Sequence, residues 1–328
     1  MLPLLALVFA AQASVAAQAG VRPAVGPLAE PAFVLPAMTG LIEGIAFRPV
    51  TGAYYFGDVH QRCVWVRTAD GRVTRFSASD DRLLGIFRVA IDEGRGTLWA
   101  SMGALEQMDG FTGSHKGAGG LAELDLATGK VRRVALAPSD GSPHLIGDFV
   151  QLADGTLYAT DTTAPVIWRL APGATALEPF VSGGFQSLQG ITLTADQRAI
   201  FVTDYRVGVL HVDLATKAVR PLAAPAGADL RGLDTLLRTP DGALVAIFNA
   251  TSRQRVVRLT LDAGATTITS ADILAADPAM PDATLGTLVG DHLVFIADGG
   301  WNRFEPGKVD ASPRPVPVLK VRWASTAR

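Results

Sequence analysis

Apolar and polar residues alternate along most of this chain with a period of two. The stretch "LQGITLTADQRAIFVTDYRVGVLHVDL", Leu188 to Leu214, shows the unit: strand, turn, strand, short connection, strand. Alternation of this kind, broken by Asp-Gly and related turns, is the pattern of antiparallel hairpins. Helix-period patterns are nearly absent. The unit recurs as "GAYYFGDVH", "GTLWASM", "GTLYATDTT", "RAIFVTDYR", "GALVAIFNA" and "DHLVFIADGG". These six segments end near Asp58, Ser101, Asp161, Asp204, Asn249 and Asp298, 43 to 60 residues apart. An apolar strand and a turn precede each, and another alternating strand follows each of the first five. Six such units predict an all-β, six-bladed β-propeller, in which neighbouring blades bury each other's apolar faces. A large β-sandwich or jelly roll is the competing architecture, and the six-fold period argues against it. "PAFVLPAM" (31–38) and "VPVLKVRWA" (316–324) remain as outer strands, so the two ends are expected to complete one blade together.

The repeat also sorts side chains. The innermost strand of a blade starts on the face where its hairpin partner ends. Fifteen residues before Asp58, Asp204 and Asn249 stand Glu43, Gln189 and Asp234; the same count from Ser101 reaches Ile86. Fourteen residues before Asp161 and Asp298 stand Gly147 and Thr284. Glu43, Gln189 and Asp234 are therefore expected to converge on the axis at one mouth of the channel. Two carboxylates and an amide oxygen in a narrow space need compensation. Either a hard divalent cation supplies it, with Ca²⁺ suited to such oxygen ligands, or the three form a hydrogen-bonded plug around trapped water.

Other residues fall near the same mouth. His60 follows Asp58 and His144 precedes Gly147; each is a candidate general base or substrate contact, or else a solvated loop histidine. Arg231, three residues before Asp234, is placed to reach in and offset negative charge. Asp161, Asp204 and Asp298 either ring the mouth or cap backbone N–H groups at strand ends. The widest spacing marks an insertion, Met102–Gly120, on the same face, which is either a lid or a passive surface loop. His211 and His292 attract no role.

Composition narrows the classes. A chain of 328 residues with a net charge of −2 offers no electrostatic case for nucleic acid. The single Cys63 excludes an internal disulfide framework and reads as a small buried apolar residue. No Gly-x-Ser-x-Gly elbow is present, which removes a common serine-hydrolase route. The apolar start "MLPLLALVFAAQASVAAQA" reads as a secretory signal over 1–19, followed by an irregular leader over 20–31 and the propeller over 32–328. No other segment is long and apolar enough to span a membrane. A secreted or periplasmic protein acting on a small molecule is expected.

The ordered set "IEGIAFRPVTGAYYFGDV", "GDFVQLADGTLYATDT", "LQGITLTADQRAIFVTDY", "GLDTLLRTPDGALVAI" and "TLGTLVGDHLVFIADGGW" resembles the senescence marker protein, gluconolactonase and luciferin-regenerating-enzyme-like family, over about residues 38–304. The resemblance implies a six-bladed propeller with a divalent cation, often Ca²⁺, in the channel, and hydrolysis of a lactone or ester. It carries the family's metal-binding Glu onto Glu43. The metal-binding Asp, also proposed as catalytic base, falls on Asp234. Three positions depart from the family pattern. The usual Asn-Gly is Gln189-Gly190, the usual Asn-Asp is Gly147-Asp148, and the usual Asp-Gly is Asp234-Thr235. Asp148 is carried over as a substrate contact. The departures keep two further readings open. One is a propeller that binds a small ligand or partner without chemistry; the other is metal-independent chemistry, as in strictosidine-synthase-like propellers.

Overall fold

The computed structural model describes residues 28–38, 40–249, 254–276, 278–304, 310 and 312–324. Six four-stranded antiparallel sheets stand as the blades of a propeller, each meandering outward from an inner strand. The inner strands, from blade one to blade six, are Ile42–Arg48, Gly85–Asp92, Ile146–Gln151, Leu188–Leu193, Leu233–Arg238 and Gly286–Val289. In blade six the order is Gly286–Val289, His292–Ile296, Arg314–Arg322, then Glu30–Met38. The two ends thus close the ring by sharing a blade, with Val34 paired to Pro317. The outer strand begins at Glu30, so the final residues of the stretch expected to be an irregular leader are part of the sheet. The proposed signal and residues 20–27 of that leader lie outside the described residues. Among the described residues the only helical turns are two short 3₁₀ segments, Gly113–His115 and Trp301–Arg303.

The period-two pattern becomes the core directly, because successive side chains on a strand face opposite sides of the blade. Tyr55 packs into the cluster shared with blade two, alongside Val89, Leu98 and Ala100. Its neighbour Phe56 packs the other way, onto Val294, Val316 and Val318 of blade six. Phe201 and its neighbours Ile200 and Val202 divide in the same manner. Every blade is therefore apolar on both faces, and no single blade can bury itself.

The aspartates at the strand ends act as caps. Asp161 accepts backbone N–H bonds from Leu145, Thr163 and Ala164 and an indole N–H from Trp168. Asp58 accepts from the Gln61 backbone and from Trp65 Nε1. Asp204 accepts from the backbones of Gln186, Ser187 and Arg206. Asp298 instead pairs with Arg314, at 2.9 Å.

Candidate functional site

One irregularity repeats at the head of five inner strands. Pairing shifts register between Ile42 and Ile45, Ile86 and Val89, Ile146 and Asp148, Leu188 and Ile191, and Leu233 and Leu236. Such bulges re-aim a side chain, and the residues they carry are Glu43, Phe87, Gly147, Gln189 and Asp234. Blade two differs by one residue from the sequence expectation. Its second strand runs on to Gly103, Met102 pairs with Ile86, and Phe87 rather than Ile86 stands level with Glu43.

Hydroxyls from neighbouring strands hold the bulges in place. Ser101 Oγ donates to the Gly147 carbonyl, Thr160 Oγ1 to that of Gln189, Thr203 Oγ1 to that of Asp234, and Thr284 Oγ1 to that of Glu43. The blades approach so closely that glycine is required after two of the heads. A Cβ on Gly44 would lie 2.0 Å from the Phe87 carbonyl oxygen, and one on Gly190 would lie 2.2 Å from that of Asp234. Gly190→Ala is expected to displace the Asp234 backbone and cost ~1–3 kcal/mol, measured as a drop in urea midpoint; an unchanged midpoint would show that the bulge can yield.

Glu43 from blade one and Asp234 from blade five meet in this site, and both are buried. Burial pushes the proton affinity of Glu43 well above the ordinary carboxylate range, and the negative charges of Asp234 and Asp282 add to it. Burial likewise raises Asp234, with Asp148 and Asp282 adding and an Asn249 hydrogen bond opposing. Gln189, at the same bulge position in blade four, is buried and donates Nε2 to Ser187 Oγ at 3.2 Å, which leaves its carbonyl oxygen as a donor atom for a cation.

Asp148 lies one residue beyond the bulge. Its Oδ1 accepts from the Phe149 backbone at 2.8 Å and its Oδ2 from that of Ile191 at 3.3 Å. Burial raises its pKa to about 6 in spite of Arg88, whose Nε stands 3.5 Å from Oδ1. Arg88 reaches across the channel from blade two and donates Nη1 to the Gly286 carbonyl of blade six at 2.9 Å. The guanidinium that faces this acidic site is therefore Arg88.

Arg231 is a correction to the sequence expectation. Its side chain is exposed and doubly bonded to Asp229, Nε to Oδ1 and Nη2 to Oδ2, each at 2.8 Å. A carboxylate two residues away satisfies the guanidinium fork before it can reach the axis. The pair lies beside a separate surface groove of about 400 Å³ bordered by Val207, Val209 and Leu222.

The two histidines are also engaged elsewhere. His144 is buried, with Nδ1 2.8 Å from Asp161 Oδ2 and its ring edge-on to Trp168. The Asp161 contact holds its pKa above the ordinary histidine value. It belongs to a strand-end cap. His60 Nδ1 stands 2.6 Å from the Gln107 carbonyl oxygen and its ring lies 4.9 Å from that of Phe304. A carbonyl only accepts, so Nδ1 carries the proton. His60 thereby ties down the insertion, whose Leu105 packs with Leu41, Val59, Phe87, Leu145 and Phe304. Gln107 Nε2 donates to the Phe304 carbonyl at 3.1 Å. The insertion is thus folded onto the aromatic connection between the second and third strands of blade six, and that connection reaches the site: Trp301 Nε1 donates to Glu43 Oε2.

The donor set suits a hard cation. Two buried carboxylates, one of which raises the proton affinity of the other, are short of positive charge. Among the described residues no group of three or more His, Cys, Asp and Glu side chains is placed to hold an ion. The ligands would be Glu43, Asp234 and the Gln189 oxygen, with water completing the shell. At the head of blade three, Gly147 stands where the resemblance implies an amide. A Cβ there would lie 2.6 Å from Thr162 Oγ1, a buried hydroxyl with no hydrogen-bond partner among the described residues.

No protein-family model matches the chain, and no curated protein does. Solved structures do. A luciferin-regenerating enzyme aligns with a TM-score of 0.63 at 16% identity, over 90% of this chain and 95% of that one. A gluconolactonase from Xanthomonas campestris aligns with a TM-score of 0.60 at 16% identity, over 93% and 99%. Regucalcin from Agrobacterium tumefaciens, a calcium-binding protein, aligns with a TM-score of 0.57 at 15% identity, over 91% and 97%. These are the proteins the sequence motifs resemble, and the chain shares their six-bladed fold.

Proposed function

We propose that this protein is a cation-dependent hydrolase of a lactone or ester. The observation that carries the reading is the meeting of Glu43 and Asp234. They come from blades one and five, are both buried, and burial raises the proton affinity of each. The gluconolactonase and regucalcin likenesses support it at the level of fold.

A bound divalent cation would polarise the carbonyl and lower the pKa of a coordinated water. The protein's own contribution is distinct. Glu43, Gln189 and Asp234 supply oxygen ligands from three blades, so the site exists only in the closed ring. Asp234, with its raised proton affinity, is suited to take a proton from an attacking water near neutral pH. Arg88 lies one residue further along its strand than the bulge. There it neutralises Asp148 in part and crosses the channel, so the substrate would enter from the mouth bearing Trp301.

The test is hydrolysis of a panel of sugar lactones, aliphatic lactones and aryl esters by chelated protein with and without added Ca²⁺. Turnover that appears with Ca²⁺ and disappears on chelation is expected. Turnover that persists in chelator would replace this reading with metal-independent chemistry. The lost amide at Gly147 favours one second reading, a propeller that binds a small ligand without reacting; Ca²⁺ uptake with no turnover across the panel would support it.

A further inference from the structure

Among the described residues, Glu43 and Asp234 are each gripped by a single neutral side-chain N–H donor. Trp301 Nε1 donates to Glu43 Oε2 at 2.6 Å. Asn249 Nδ2 donates to Asp234 Oδ2 at 2.6 Å and to the Ala283 carbonyl at 3.0 Å. A backbone carbonyl can only accept, so the Ala283 contact decides which end of the Asn249 amide is nitrogen. The other end must then accept, and Tyr205 Oη donates to Asn249 Oδ1 at 2.6 Å. Every bond along Tyr205–Asn249–Asp234 therefore has a fixed direction. Asp234 Oδ2 is committed as an acceptor, and Oδ1 is the oxygen left over. The indole N–H is likewise only a donor, so Glu43 Oε2 is committed and Oε1 is left over.

Both grips hang from one two-residue segment. Asp282 Oδ2 accepts the backbone N–H groups of Gly300 at 2.7 Å and Trp301 at 2.6 Å, which places the indole. The next residue, Ala283, orients Asn249 through its carbonyl. The Ala283 N–H is held in turn by Gln254 Oε1. Blade four (Tyr205) and the connections between the second and third strands of blade five (Asn249) and blade six (Trp301) are thus keyed to a common point beside the site.

We propose that Trp301 and the Tyr205–Asn249 pair are positioning residues that present Glu43 Oε1 and Asp234 Oδ1, one oxygen from each carboxylate, to a divalent cation. This rests on the cation-dependent reading above. Neutral donors suit the task. A lysine or arginine in their place would hold the carboxylates equally well but would neutralise them and repel the ion.

The experiment is Ca²⁺ titration into chelator-stripped protein by calorimetry, with the cation-free melting temperature recorded for each variant. Outer hydrogen-bond partners of metal ligands are typically worth about 10–100-fold in affinity. Asn249→Leu and Trp301→Phe are each expected to weaken Ca²⁺ binding by about tenfold or more. Trp301→Phe keeps a ring against Phe87, which lies 6.2 Å away and nearly parallel, and so is expected to keep the cation-free melting temperature. Tyr205→Phe is expected to weaken binding less, because Ala283 still orients the amide. A structural role alone would lower the cation-free melting temperature and leave the affinity unchanged, and that outcome overturns the proposal. Wild-type protein that takes up no Ca²⁺ at millimolar concentration overturns it together with the cation reading. Weakened Ca²⁺ binding in the variants, with no ester or lactone turnover by the wild type, upholds the positioning role and removes only the hydrolase.

Discussion

Asp234→Asn is expected to melt higher than the wild type when divalent cations are absent, and to hydrolyse nothing. The stability gain follows from the raised proton affinity of Asp234. In the folded chain its pKa is pushed up to about 7, while the unfolded chain keeps an ordinary aspartate near 4. Between those values the folded state binds more protons than the unfolded one, so this group's contribution is fully present below about pH 4 and is lost as pH rises towards 7. At pH 8 the wild type holds an uncompensated buried charge, and the amide does not. A difference of roughly 2–4 kcal/mol is the upper range for a shift of that size. It corresponds to roughly 3–6 °C in melting temperature for a chain of this length. The two proteins should converge as the pH is lowered to about 4.

Calcium should reverse the order. A cation that binds only the folded state stabilises it by about 2.7 kcal/mol at a hundred times its dissociation constant. The wild type gains that increment and Asp234→Asn does not. The gain should be larger at pH 8 than at pH 5.5, because at the lower pH protons compete for Asp234 and Glu43. Loss of the base should lower turnover by about 10²–10⁴-fold, the usual span for general-base catalysis, with loss of the ligand added to it. Melting curves at pH 5.5 and 8, with and without Ca²⁺, test all of this. A variant that melts below the wild type at pH 8 without cation would mean that Asp234 carries no unfavourable charge, and the site as described would be wrong.

The fold could be read from the sequence because a propeller writes its period into the chain six times. Each blade must be apolar on both faces, so alternation had to recur, and the strand-end caps Asp58, Asp161 and Asp204 supplied a ruler. That ruler was long enough to place Glu43, Gln189 and Asp234 at strand heads, since these positions are fixed by bulges common to the blades. It slipped by a residue in blade two, where Ser101 is no strand-end aspartate: its hydroxyl accepts the Arg88 backbone N–H and donates to the Gly147 carbonyl. As a result Arg88 went unnoticed, although it is the guanidinium nearest Asp148. Asn249 was read only as a strand-end marker. Trp301 and Asp282 sit in connections with no periodicity, where nothing in the pattern says which way a side chain turns. Arg231, His60 and His144, expected near the mouth, share one feature. Each has a partner close at hand, in Asp229, the Gln107 carbonyl and Asp161, and a polar group satisfied locally has no cause to reach further.

Arg88→Met is expected to be among the most damaging single substitutions at a position that touches no cation ligand directly. Asp148 is 3% exposed, and Arg88 is the one positive group that lowers its proton affinity. Removing one partner of a buried pair leaves the other charged and unpaired, which typically costs about 3–5 kcal/mol. The Gly286 carbonyl also loses its donor from across the channel. A drop of roughly 4–8 °C in melting temperature follows at pH 7.5. The deficit should shrink on acidification. Asp148 already has a pKa of about 6 with Arg88 in place, and without the guanidinium it rises further, so the carboxyl is neutral at pH 5 and no charge is stranded. Adding Asp148→Asn to Arg88→Met should restore most of the stability at pH 7.5, because an amide needs no counter-charge and can still accept from the Phe149 backbone. Asp148→Asn alone should cost far less than Arg88→Met, since an arginine facing the remaining carboxylates of the channel is not left without negative charge nearby. A double-mutant cycle over these four proteins isolates the pair. Additive effects would show that Arg88 serves only to bridge blades two and six, and Asp148 would then have to hold its charge on backbone N–H groups alone.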